Sequence, residues 1–240
     1  MKRICPVLLS AALLLGLAAC GSQSTSASSV PAPSSSVETS SSAPSEMENS
    51  AAQTVQPLAV FSITDPMEDG IYSAGFELSD LEDTEGGYVL NASLYAYDQY
   101  DMVDIATLKP GDTLLVHDFN GEWVEKTIET VETNDYGVTI NGGMDFENGL
   151  DLAEEDTCYR TLFWDDYPIY YEQGKALLYL ADDVVLNDSS AEPGAEPVVT
   201  AGAEAVAEAV ASSDPYWVCT NTTLRIENGV VVEINRRWVP

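Results

Sequence analysis

Positive charge is what this chain has least of. Nine Lys and Arg stand against 40 Asp and Glu, for a formal net charge of −31. Nucleic-acid binding requires a basic footprint that neutralises phosphates, so that class of function is excluded. Histidine is scarcer still: His117, in "TLLVHDF", is the one imidazole. A catalytic histidine needs a positioned nucleophile and an orienting acid around it, and strand-forming residues flank this one. His117 is therefore expected to be an ordinary packed or surface residue. No Gly-x-Ser-x-Gly elbow, His-Glu-x-x-His pair or Walker loop occurs, which removes the commonest signatures of acyl, metal-assisted and phosphoryl chemistry. With one histidine and only two cysteines beyond Cys20, a structural zinc site, which takes four Cys or His ligands, is not expected. Long apolar runs are absent too. The longest, Ile4 to Leu17, falls short of the ~20 residues that cross ~30 Å of hydrocarbon.

That apolar run follows Lys2 and Arg3 and ends in Leu17-Ala18-Ala19-Cys20. A basic start, an apolar middle and small residues before a cut site describe an export signal. The leucine, two alanines and cysteine resemble the lipobox of bacterial lipoproteins. This resemblance covers residues 1–20 and says nothing about the rest. It implies that Cys20 takes a diacylglyceryl group through its thiol and becomes the first residue of the mature chain, while Cys5 is discarded. A thiolate is the side chain most readily alkylated to a thioether, and two or more acyl chains give stable anchoring. The expectation is a palmitate-bearing lipoprotein fixed to the extracytoplasmic face of the cell membrane.

From Gly21 to Gln56 the sequence is Ser, Thr, Ala, Pro and a few Glu. Such composition cannot offset the entropy of ordering a backbone and predicts a disordered tether over residues 20–56. As a flexible coil it would reach roughly 30–35 Å. Residues 57–240 are one domain's worth of chain. Gly/Asn turn signals recur through it, and alternating runs lie between them: Tyr72, Ala74, Phe76 and Leu78; then Tyr88, Leu90, Ala92, Leu94 and Ala96; finally Val230, Val232 and Ile234. This predicts a mostly-β domain, an antiparallel β-barrel or β-sandwich of roughly eight to eleven strands. Asn120-Gly121 and Asn228-Gly229 are the expected tight turns. Only Thr200–Ser212 has helical spacing, inside an insert from Ser189 to Ser213.

Carboxylates dominate the candidate sites. Asp145, Glu147 and Asp151 in "MDFENGLDLAEED" could gather around Ca²⁺, which takes six to eight oxygens, although the spacing departs from the EF-hand pattern. Asp165-Asp166 in "LFWDDYPIYY" sits among rings. Trp164, Asp165, Asp166, Tyr167, Tyr170 and Tyr171 together suit a ligand surface that stacks on a sugar and bonds its hydroxyls. The same acids admit a carboxylate-dependent hydrolase acting on glycans. Cys158 and Cys219 are either a disulfide or two free thiols. Arg236-Arg237 is the one basic pair after the signal and is expected to satisfy carboxylates on neighbouring strands. The reading favoured here is a non-catalytic binding or scaffolding module. Its partners would be a glycan, a basic protein or a divalent cation, with the membrane engaged through Cys20. A transport-type solute receptor is disfavoured, because alternating helices and strands are missing.

Overall fold

Alternation in the sequence becomes strands, and their inward residues become core. The computed structural model describes residues 51–240. The strands β1 (Thr54–Val55), β2 (Gly70–Gly75), β3 (Leu81–Thr84) and β4 (Gly87–Ala96) come first. They are followed by β5 (Gln99–Asp101), helix α1 (Met102–Ala106), β6 (Thr113–His117), β7 (Trp123–Thr127), β8 (Val131–Asn134), β9 (Gly137–Ile140), β10 (Leu150–Glu155) and β11 (Cys158–Leu162). The chain ends with β12 (Tyr171–Ser189), β13 (Val198–Ala201), helix α2 (Ala203–Ala211), β14 (Thr222–Glu227) and β15 (Val230–Arg237). The fold is mostly β, as expected.

A seven-stranded sheet runs β13-β12-β15-β14-β2-β4-β3, and a further pairing of β12 with β4 closes five of its strands into a barrel. Tyr179 marks the seam, pairing with Val89 of β4 on one side and Val230 of β15 on the other. Every joint of the ring is antiparallel except β12–β15, which is parallel. A parallel joint needs a crossover, and β13, α2 and β14 provide it. The nineteen-residue β12 can serve both neighbours because its pairing with β15 shifts register between Leu180 and Val185, where Asp182 and Asp183 bulge out to solvent.

Leu90, Leu94, Leu178, Leu186, Leu224 and Ile234 fill the barrel. Helix α2 closes it with Val206 and Val210, both fully buried, and Trp217 stacks on Phe76 at 5.0 Å between ring centres. Two expectations shift here. A second bulge, between Arg225 and Ile226, resets the parity of β15, so Val231 rather than Val230 and Val232 joins Ile234 in the core. The helix begins at Ala203, because Thr200 and Ala201 pair with β12 as β13 and Gly202 (φ +94°) breaks the strand before the helix starts.

Residues 97–170 leave the barrel between β4 and β12 and build a second core. One sheet is ordered β5-β11-β10-β9-β8 and another β1-β6-β7. Between them lie Tyr100, Ile105, Leu114, Ile128, Ile140 and Leu152. Val55 joins this core from β1, which pairs with β6 in parallel. Within the stretch predicted as tether, Thr54 and Val55 are strand, because Val55 has an apolar seat. The helix α1 was not foreseen. Asp101 caps it, its carboxylate accepting from the Val103 N–H at 2.7 Å. Asn228-Gly229 forms the expected two-residue turn, with φ of 53° and 78°. Asn120-Gly121 instead lies in a five-residue loop, since His117 pairs with Trp123 and Asp118 accepts from the backbone of Asn120 and Glu122. Among the described residues no helix is long and apolar enough to cross a membrane. Cys20 and the remainder of the proposed signal and tether lie outside the described residues.

Candidate functional site

A cavity of about 730 Å³ opens against the outer face of the barrel. Its floor is a row of polar side chains laid across neighbouring strands. Asn187 pairs with Asn235, Asn235 with Thr223, Thr223 with Ser73 and Ser73 with Tyr95. Their chain neighbours Leu186, Ile234, Leu224 and Leu94 are buried in the core, so strand alternation turns this row outward. All five residues line the cavity. Tyr97 and Tyr170, edge-to-face with ring centres 5.6 Å apart, form one wall, and Phe61 contributes to another. Burial holds the Tyr170 phenol above its ordinary range, with the Arg237 charge pulling the other way. Burial likewise raises Tyr97, helped by Glu155, whose carboxylate accepts from the Tyr97 hydroxyl at 3.2 Å. Cys219, also on the cavity, is a thiol pushed up to about 11 by burial.

Both arginines of the pair reach this region. Arg236 is buried, donating through Nη2 to the carbonyls of Asp214 and Tyr216 at 3.0 Å and lying over the Trp217 ring at 4.3 Å. Asp188 is 3.8 Å from its Nη1. Arg237 is exposed; its Nε donates to the Thr220 carbonyl at 3.0 Å and its guanidinium lies 5.3 Å over the Tyr167 ring. Backbone carbonyls and rings, more than carboxylates, receive this pair.

A second polar cluster sits where the chain crosses between the two cores. Asp98 is buried and accepts from the His117 backbone N–H at 2.6 Å and from the Tyr171 hydroxyl at 2.9 Å, while His117 Nδ1 lies 2.8 Å from Oδ1. The imidazole lies between Trp123 at 3.6 Å and Tyr171 at 4.2 Å, tilted by 35° and 31° to the two rings. Desolvation and the Asp98 charge hold the Tyr171 phenol well above its usual range. An Asp–His pair is the orienting half of a nucleophilic relay. Here, among the described residues, no hydroxyl or thiol bonds to the imidazole. The cluster's evident work is to fasten Asp98, Tyr171 and the β6 end together.

The predicted ligand surface is divided by this arrangement. Tyr170 faces the cavity, Tyr171 is buried against Asp98, and Tyr167 lies under Arg237. Trp164 is exposed and stacks on Phe163, which meets Phe119 edge-on at 4.9 Å. Asp165 and Asp166 occupy a surface turn with φ of 58° and 64°, and Asp166 is ion-paired to Arg160 at 2.9 Å. Neither lines the cavity. Of the proposed Ca²⁺ set, Asp151 accepts from the Thr139 hydroxyl at 2.7 Å and the Met144 N–H at 2.9 Å, while Asp145 and Glu147 are exposed. Among the described residues no group of three or more His, Cys, Asp or Glu is placed to hold a metal ion. Cys158 and Cys219 are free thiols, not a disulfide. Cys158 is held in β11, its thiol on the Glu155 carbonyl at 3.3 Å, and Cys219 lies on the cavity.

No family model matches this chain, and no curated protein or solved structure matches it either. Sequence reasoning missed Tyr95, Tyr97, Asn187, Asn235 and Ser73 because their meeting depends on strand order. The one usable signal was their outward parity within alternating runs.

Proposed function

We propose that this chain is a membrane-anchored, extracytoplasmic bacterial lipoprotein whose β-rich part is a non-catalytic binding module. The cavity on the barrel's outer face is its ligand seat. One observation carries the reading. A concavity of about 730 Å³ joins aromatic walls to a cross-strand row of hydroxyl and amide groups. Binding sites of ~300–1,000 Å³ combine apolar walls with a few placed polar groups in this way. The anchoring half of the proposal rests on the Leu17–Cys20 signal and the acidic, serine-rich stretch behind it. Net negative charge repels anionic headgroups over ~8–10 Å, which suits a domain held by lipid yet kept clear of the bilayer.

Two measurements test it. Mass spectrometry of protein purified from membranes should recover Cys20 as the first residue, carrying a diacylglyceryl thioether. An unmodified Cys20 or another mature start would defeat the anchoring. For the cavity, Tyr170→Ala should weaken whatever small molecules the protein retains by at least tenfold while leaving the barrel folded. Unchanged binding would place the ligand seat elsewhere.

A further inference from the structure

We infer that the cavity selects a small organic anion, a carboxylate or phosphate of roughly amino-acid to disaccharide size. This rests on the cavity being the ligand seat. Its physical basis is a local inversion of the protein's charge. Although Asp and Glu outnumber Lys and Arg 40 to nine, no residue lining the cavity is acidic, and its charged members are Arg236 and Arg237.

Ion pairing separates these two arginines. Among the described residues, Arg160 pairs with Glu155 and Asp166, Arg225 with Glu227 and Glu233, and Arg236 with Asp188. Arg237 has no carboxylate partner among the described residues. Its Nε is occupied by the Thr220 carbonyl, which fixes the side chain, and neither Nη bonds to another described residue. A guanidinium held by one edge presents the remaining N–H groups as a planar fork, the geometry that meets a carboxylate or phosphate with two parallel bonds. Arg237 follows Asn235 by two on β15 and pairs across to Ser189 of β12, so the fork continues the outward polar row. Tyr95, Tyr170 and Ser73 contribute hydroxyls to the same cavity. The tyrosine rings accept the body of a ligand whose acid end the fork receives.

Ligand-observed NMR on the full chain in a non-ionic detergent tests this with three matched probes: 4-hydroxybenzoate, 4-hydroxybenzamide and 4-hydroxybenzylamine. Probes of this size are expected to bind at about millimolar dissociation constants. The benzoate should bind at least tenfold more tightly than the amide, and the amine most weakly. Arg237→Gln should cost the benzoate ~10–100-fold and leave the amide within about twofold, because a charge-assisted bond is lost only for the anion. Ser73→Trp, which fills the floor, should abolish all binding, with circular dichroism confirming that both variants fold. Equal binding of benzoate and amide, unaffected by Arg237→Gln but lost with Ser73→Trp, would overturn the anion inference and leave the cavity as the seat. No binding of any probe at about 10 mM, or binding untouched by Ser73→Trp, would overturn both.

Discussion

The barrel and the module inserted at residues 97–170 handle the same problem, open sheet edges, by opposite means. Five barrel strands close on one another, and α2 and Trp217 cover the core they enclose. The inserted module leaves its sheets open, with β7 and β8 at their edges. Both edge strands are largely exposed and carry Glu122-flanked or Glu-bearing sequence, Glu125 and Lys126 in β7 and Glu132 in β8. Charged, short edges resist pairing with another chain. Closure therefore protects the larger core, and charge protects the smaller one. Part of the chain's acidity thus has a structural use, distinct from any role in attracting partners.

Ways to break that contrast can be ranked by size. Trp217→Ala removes the ring under Arg236 and beside Phe76 and should destabilise the protein by ~3–5 kcal/mol, read from chemical denaturation. Leu152→Ala, in the module's core, should cost ~2–5 kcal/mol, and hydrogen exchange should quicken in β9, β10 and β11 before β14 and β15. Equal acceleration in all of them would show one cooperative core and dissolve the distinction. Asp98→Ala leaves the His117 N–H and the Tyr171 hydroxyl without their acceptor. It should cost about 2–3 kcal/mol, with the loss of protection centred on the crossing strands.

Alkaline titration comes next. The Cys219 thiol sits at about 11 in the folded chain against 9.0 ordinarily, so the unfolded thiol ionises first. Its contribution to stability is present below pH 9 and disappears as pH rises toward 11. The Tm of Cys219→Ser should therefore fall less over that window than that of the wild type. Labelling of Cys219 by a thiol reagent at pH 8 should also be at least tenfold slower than for an ordinary cysteine. Smallest of all, Trp164→Ala should shift stability by no more than ~0.5 kcal/mol, since the ring is 66% exposed. A larger loss would mean that the Phe119–Phe163–Trp164 cluster belongs to the module's packing.

Much of the fold was legible because period two survives wherever a strand is regular. Leu90, Ala92, Leu94 and Ala96 were placed inward and are buried. The reading slipped at β15, where a bulge exchanges Val231 for Val232, and a bulge has no fixed residue signature when both neighbours are valine. The partition into two cores was not legible, since nothing in composition separates residues 97–170 from their flanks. Nor was the Asp98–His117 pair, nineteen residues apart in sequence: the histidine reads there as an ordinary packed or surface residue, and its acceptor lies between β4 and β5. The ring-rich stretch Trp164–Tyr171 reads in sequence as one ligand surface, but its members face three environments: Asp165 and Asp166 form a positive-φ turn, and adjacent Tyr170 and Tyr171 point to the cavity and to Asp98. Arg237 was expected to serve a carboxylate, and only strand order shows that none stands opposite it.

Ala96, the last residue of β4, is the direct register partner of Tyr171, the first of β12. In topological terms the barrel contains an ordinary antiparallel hairpin whose loop happens to be an entire folded module. Lineages that shorten, lengthen or exchange that loop need not disturb the hydrogen-bonded ladder beneath it. The strand pair behaves as a socket, and the cavity straddles its rim: the floor lies on barrel strands, while the Tyr97–Tyr170 wall comes from the two ends of the insert.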